Sequence, residues 1–143
     1  MTIEFKVLEA GNEHALSRVA PDVFDLPVDE RLTAEFLKDP RHHIAVAIDG
    51  GVVVGFASAV SYIHPDKPAE LWINEVGVAP THRNRGVART LLELLFGVGR
   101  QEGCETAWVL TERENGPAMR LYQSCGGEEA QAETVMFSFE LDG

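Results

Sequence analysis

Val78-Ala79-Pro80-Thr81-His82-Arg83-Asn84-Arg85-Gly86-Val87-Ala88 is the stretch on which the reading of this chain turns. Before it, Glu70 to Val78 is a β-rich run. After it, from Val87 to about Arg100, Leu91, Leu94, Leu95 and Val98 recur at helical spacing. The stretch is therefore a turn from a strand into a helix. The first turn of a helix presents N–H groups with no intrahelical acceptor and a partial positive charge, which suits an anion such as pyrophosphate. Gly86 and Ala88 have little or no side chain to hold an anion off the backbone. Arg83 and Arg85 add positive charge at a helix start, where it is unfavourable unless an anion joins them. Taken alone, an ordinary loop competes with this reading.

Working outward, Ile44 to Ile48 and Val52 to Val60 are two β-rich runs joined by Asp49-Gly50-Gly51, a hairpin signal. His42-His43 opens the first of them. Ile3, Phe5 and Val7 alternate with Glu4 and Lys6 as an initial strand. Asn12 is placed to cap a short helix reaching about Val19. A second helix starts after Asp29, carries Leu32, Phe36 and Leu37 inward and stops at Pro40. On the far side, Thr106 to Leu110 reads as a strand. Asn115-Gly116-Pro117 opens a helix closed by Gly126-Gly127. Val135, Phe137, Phe139 and Leu141 alternate with Met136, Ser138 and Glu140 in a last strand. The order is that of a mixed α/β (α+β) sheet, an antiparallel meander followed by a strand-helix-strand unit, in one domain over residues 1–143.

The charge of −11 over 143 residues argues against nucleic acid, whose phosphates need a basic surface, and is compatible with a cationic small molecule. An acidic surface serving only solubility is the plainer reading of the same number. No apolar run approaches the ~20 residues that cross a bilayer, and the first residues lack a signal-peptide layout, so a cytosolic protein without a membrane partner is expected. The histidines and two cysteines fall in no metal pattern, so no metal is expected.

Arg83-x-x-Gly86-x-Ala88 resembles the (Arg/Gln)-x-x-Gly-x-(Gly/Ala) signature of the GCN5-related N-acetyltransferases (GNAT). Asn115-x-x-Ala118-x-x-Leu121-Tyr122-x-x-x-Gly126 is similar to that family's second motif. The likeness runs from about Ile44 to the C-terminus. It implies a central mixed sheet of six to seven strands with about four helices, splayed where the cofactor binds. A closer resemblance, to the aminoglycoside 3-N-acetyltransferases, rests on Tyr62 to Pro68, Glu70-Leu71-Trp72-Ile73-Asn74-Glu75-Val76-Gly77-Val78, Pro117-Ala118-x-x-Leu121-Tyr122 and Val135-Met136-Phe137. Glu75 and Glu112 stand where those enzymes carry aspartate, and Gly127 replaces a bulky residue. The size of the acceptor and the amine that reacts are left open by these departures.

The resemblance implies acetyl-CoA as co-substrate and direct attack of an amine on its thioester. The strand edge at Val76 and Val78 would pair with pantetheine, the Val76 N–H polarising the thioester carbonyl. Arg83, Arg85, Gly86, Val87 and Ala88 would hold the pyrophosphate. Tyr122 takes the place of the general acid, with a packed aromatic as the alternative, and Asn115 that of a cofactor contact or a helix cap. Glu75 is the candidate base and a substrate contact, against a solvated strand glutamate. Glu112 and Asp25 are candidate substrate contacts, against exposed loop acids. Trp72 and Trp108 read as sheet-face residues, with substrate stacking the alternative for Trp72. The expected acceptor is an aminoglycoside; a polyamine, amino acid or peptide N-terminus is the second reading, and a non-catalytic acyl-CoA sensor the third. A homodimer is expected from the same likeness.

Overall fold

The computed structural model describes residues 2–130 and 133–142. Strands β1 (Glu4–Val7), β2 (His42–Asp49), β3 (Val52–Tyr62), β4 (Glu70–Val78) and β5 (Thr106–Val109) form one sheet in that spatial order. The first four are antiparallel neighbours, and β5 runs parallel to β4. Helices α1 (Glu30–Lys38), α2 (Val87–Gln101) and α3 (Gly116–Ser124) complete the regular structure, with short 3-10 turns at Glu13–Ser17 and Pro80–His82. No helix among the described residues is long and apolar enough to cross a membrane.

The β2–β3 hairpin closes at Gly50 and Gly51, whose φ values of 58° and 80° are both left-handed, as a tight two-residue hairpin turn requires. α2 packs on one face of the sheet through Leu91, Leu92 and Leu95, all fully buried. Each such leucine stabilises the fold by about 2 kcal/mol. Gly55 on β3 lets the helix approach, since a Cβ there would stand 3.0 Å from Val87 Cγ1. Phe56, the next residue, points to the opposite face. There its ring stacks on Phe24 with centroids 3.9 Å apart. The loop that carries Phe24 crosses β4 at Gly77, where an added Cβ would lie 2.2 Å from the Val23 carbonyl oxygen.

Several sequence expectations are corrected. Asn12 makes no side-chain cap for the 3-10 turn; its Oδ1 accepts from the Glu9 N–H instead, closing a local turn. α1 begins after Asp29 as expected, and Asp29 caps it by accepting from the Leu32 N–H, but Leu32 is 55% exposed and Thr33 is buried with Leu37. Thr33 and Leu37 are four residues apart and share the inward stripe. Leu92 joins the core of α2, widening its apolar face beyond Leu91, Leu94, Leu95 and Val98.

The largest correction concerns the C-terminus. Residues 134–142 form no regular element, and Val135, Met136, Phe137, Phe139 and Leu141 are 72–94% exposed. Alternation gives a segment one apolar face, but a strand also needs a neighbour's N–H and C=O groups, and the described residues supply none here. Among the described residues, five strands and three α-helices stand where six to seven and about four were expected.

Candidate active site

The turn between β4 and α2 is built to leave a helix start open. Asn84 (φ 61°) and Gly86 (φ 76°) are both left-handed. Gly86 occupies the cap position of α2, and no side chain caps the helix. The contrast with the other two helices is direct. Asp29 accepts from Leu32 N–H at 2.8 Å, and Asn115 Oδ1 accepts from Ala118 N–H at 3.1 Å. α2 also has no acidic residue in its first turn. Its leading N–H groups thus await an acceptor from outside the chain. Arg83 and Arg85 are exposed and form no ion pair among the described residues. Arg83 donates from Nε to the Val78 carbonyl at 3.2 Å, which fixes its base against the end of β4. Together with Val87 and Ala88, these groups fit a diphosphate by charge and by donor supply.

β4 supplies the second part. Ser58 pairs with Glu75 and Ala59 with Ile73, so Asn74 is an extra residue, a β-bulge. A bulge bends its strand. The pairing of β4 with β5 ends at Ile73, immediately before it. From Asn74 to Val78 the side of β4 facing away from β3 has no strand partner. The backbone groups on that side form a free edge among the described residues. Val76 and Val78, both half-buried, lie along it.

α3 forms the third part. Leu121, Tyr122 and Cys125 pack against the core, and α3 touches α2. Burial raises the Tyr122 phenol above its ordinary pKa, with a smaller push from Cys125, so it stays protonated at neutral pH. Asn115 acts as a helix cap through Oδ1. Its amide nitrogen and the second lone pair of Oδ1 are left for any further contact.

The acids expected to meet a substrate are less concentrated. Glu75 is exposed and in register with Ser58, so it shares the sheet face on which Phe24 stacks over Phe56. Asp25 follows Phe24 and lines an open depression of about 400 Å³ with Asp22, Leu16 and Pro27. Glu112 is exposed in the loop after β5, where its carbonyl accepts from Asn115 N–H. Neither Asp25 nor Glu112 makes a side-chain bond among the described residues.

Two constellations escape sequence reasoning. Trp72 and Trp108 are in register across β4 and β5 and stack at 5.5 Å. The Trp108 indole donates to the Tyr62 hydroxyl, which donates to Glu70, each at 2.8 Å. The second is His82, whose Nε2 meets the Asp49 carboxylate at 2.8 Å. Both depend on cross-strand register or on a separation of tens of residues, for which the sequence carries no local signal.

The chain is 35% identical over 88 residues to streptothricin acetyltransferase of Streptomyces lavendulae, covering 62% of this chain and 44% of that one. It is 31% identical to the N-alpha-acetyltransferase RimI of Mycobacterium tuberculosis, covering 63% and 54%. It thus matches about half the length of these two relatives. It is 32% identical to aminoglycoside N(6')-acetyltransferase type 1 of Salmonella typhimurium, covering 66% and 68%. In solved structures the fold recurs in AAC(6')-Iy bound to the bisubstrate analogue CoA-S-monomethyl-acetylneamine, with a TM-score of 0.80 at 22% identity over 99% of both chains. The model of the acetyltransferase (GNAT) family matches residues 12–127, and the chain belongs to that family.

Proposed function

We propose that this protein transfers the acetyl group of acetyl-CoA to an amine of a cationic small molecule, with an aminoglycoside as the first candidate. The observation that carries the reading is the uncapped start of α2 behind Gly86, flanked by two unpaired arginines and adjoining the freed edge of β4. Acetyl-CoA, when bound, supplies the activated acyl carbon. The chain positions it and moves protons. The N–H groups of Val87 and Ala88 and the two guanidiniums would hold the diphosphate, and the β4 edge at Val76 and Val78 would pair with the pantetheine arm. The Val76 N–H would stabilise negative charge on the thioester oxygen. Glu75 would take a proton from the substrate ammonium, directly or through water, so that the neutral amine attacks, and Tyr122 would give its hydroxyl proton to the departing sulfur. No acyl-enzyme forms. Holding both reactants together supplies much of the acceleration.

The charge of −11 and the exposed Glu75, Asp25 and Glu112 favour a polycationic acceptor. Sequence motifs point to the 3-amine of an aminoglycoside, whereas the Salmonella relative is a 6'-enzyme by name. The test is thiol release from acetyl-CoA with aminoglycosides, spermidine and peptide N-termini, followed by assignment of the acetylated nitrogen. Turnover on spermidine or a peptide alone would establish the second reading, which the N-alpha-acetyltransferase relative favours. Coenzyme binding without turnover on any amine would establish a sensor.

Glu75→Gln is expected to lower kcat/KM at neutral pH by about 10- to 100-fold and to flatten the acidic limb of the pH-rate profile. An unaltered profile would remove Glu75 as the base.

Self-association belongs to the same proposal. β5 stands at the end of the sheet, and the exposed Val135, Phe137, Phe139 and Leu141 alternate as an added strand would. Light scattering after size exclusion should give a dimer mass, reduced to the monomer by Phe137→Asp with Phe139→Asp. A monomer mass for the unaltered chain would overturn this part.

A further inference from the structure

The turn that presents the coenzyme's diphosphate site is held only in part by its own bonds, from the His82 N–H to the Ala79 carbonyl at 2.9 Å and from Arg83 Nε to the Val78 carbonyl at 3.2 Å. Asn84 and Gly86 are left-handed, and Gly86 brings no side chain to cap the helix it starts. Further bonds reach the turn from outside it. The Ala79 N–H donates to the Val54 carbonyl at 2.8 Å, and Val54 is the unpaired residue where the β2–β3 register shifts. Three residues on, His82 Nε2 lies 2.8 Å from Asp49 Oδ2, at the mouth of the hairpin turn, and its Nδ1 lies 2.8 Å from Thr81 Oγ1. A carboxylate only accepts, so Nε2 carries the hydrogen in either charge state of the ring. That bond fixes the ring, and the ring fixes the residue immediately before Arg83.

The burial of this pair sets it apart. The side chains of His82 and Asp49 are 14% and 11% exposed, whereas every other ion pair among the described residues has at least one member more than a third exposed. Exposed pairs contribute little and are screened by salt. A pair held out of water is directional, and removing one member leaves the other without its partner.

We propose that Asp49 and His82 are positioning residues for the coenzyme, a latch joining the β2–β3 hairpin to the diphosphate turn. Neither touches the coenzyme; they act through Arg83, Arg85 and the start of α2. The inference rests on the reading of that turn as the diphosphate site.

The test measures acetyl-CoA affinity by calorimetry, with KM and kcat on an accepted amine, for Asp49→Ala, His82→Ala, the double variant and Asp49→Asn. Each alanine variant should raise the acetyl-CoA Kd and KM about 10-fold while kcat at saturation stays within about twofold, because the latch shapes the binding site and not the proton transfers. The double variant should bind no worse than either single one, since both break the same contact. Asp49→Asn, which keeps an acceptor oxygen, should recover most of the loss. Should an alanine variant lack a cooperative thermal transition, His82→Asn takes its place with the same expectation. Kd within about twofold of the unaltered protein, multiplied losses in the double variant, or kcat falling in step with affinity would each overturn the latch. Arg85→Ala separates the two levels of the argument. If it leaves acetyl-CoA affinity unchanged, the diphosphate reading falls and takes the latch with it; if it weakens binding while Asp49→Ala does not, only the latch falls.

Discussion

Tyr122→Phe is expected to lower kcat about 100-fold while changing the acetyl-CoA Kd by no more than about twofold, in line with the loss of one general acid. The argument starts from burial. Tyr122 is half-buried on α3 among core residues, and its phenol is pushed above its ordinary pKa. A phenol so placed keeps its proton throughout the neutral range. It therefore still carries the proton when a thiolate departs beside it, and can share that proton with the sulfur as its charge develops. Phenylalanine preserves the ring packing, so the folded structure and the uncapped start of α2 are retained. Pre-steady-state thiol release and a binding isotherm on the same protein check both halves. Equal losses in turnover and affinity would instead identify Tyr122 as a packing residue.

Gly77→Ala should be the most destabilising single methyl in the chain. The added Cβ would lie 2.2 Å from the Val23 carbonyl oxygen and 2.9 Å from Phe56 Cε1. The first obstacle is backbone, which cannot swing aside as a side-chain end can. Overpacking of this kind costs about 3 kcal/mol. In a domain of this size that lowers Tm by about 10 °C. The loop bearing Phe24 and Asp25 must lift from β4, so acceptor KM should rise as well. Gly97→Ala is the control. Its added methyl meets nothing within 4 Å in the middle of α2, and it should raise stability by about 0.5–1 kcal/mol. Thermal melts of the two variants should therefore move in opposite directions.

The parts of the fold legible in the sequence are those decided locally. Asp49-Gly50-Gly51 announces its hairpin because few residues other than glycine accept two successive positive φ values. β4 runs from Glu70 to Val78 and α2 begins at Val87, as the patterns on either side of the turn predict. What escapes is decided by neighbours. Asn12 and Asp29 carry similar short polar side chains, and only the surrounding chain sends Asp29 to a helix cap and Asn12 to a local turn. Leu32 and Leu92 are both leucines on amphipathic helices, yet α2 lies flat on the sheet and buries the wider stripe. The alternation from Val135 to Leu141 is strand-like, but a pattern cannot supply the edge that a strand must meet. For the candidate site, the diphosphate turn is visible as a motif. The Asp49–His82 contact and the tryptophan stack are not, since they arise from register.

The extra residue at Asn74 carries a further consequence. Because it has no partner on β3, every pair beyond it, from Glu75 with Ser58 to Val78 with Gly55, would survive its deletion. What would change is curvature: the shortened strand would straighten and be free to zip onward along β5. On the proposed reading, such a protein would keep its hairpins and its core yet lose the edge that pairs with the coenzyme's arm. On that reading, room for the coenzyme rests on one inserted peptide unit, independently of the residues proposed to do the chemistry.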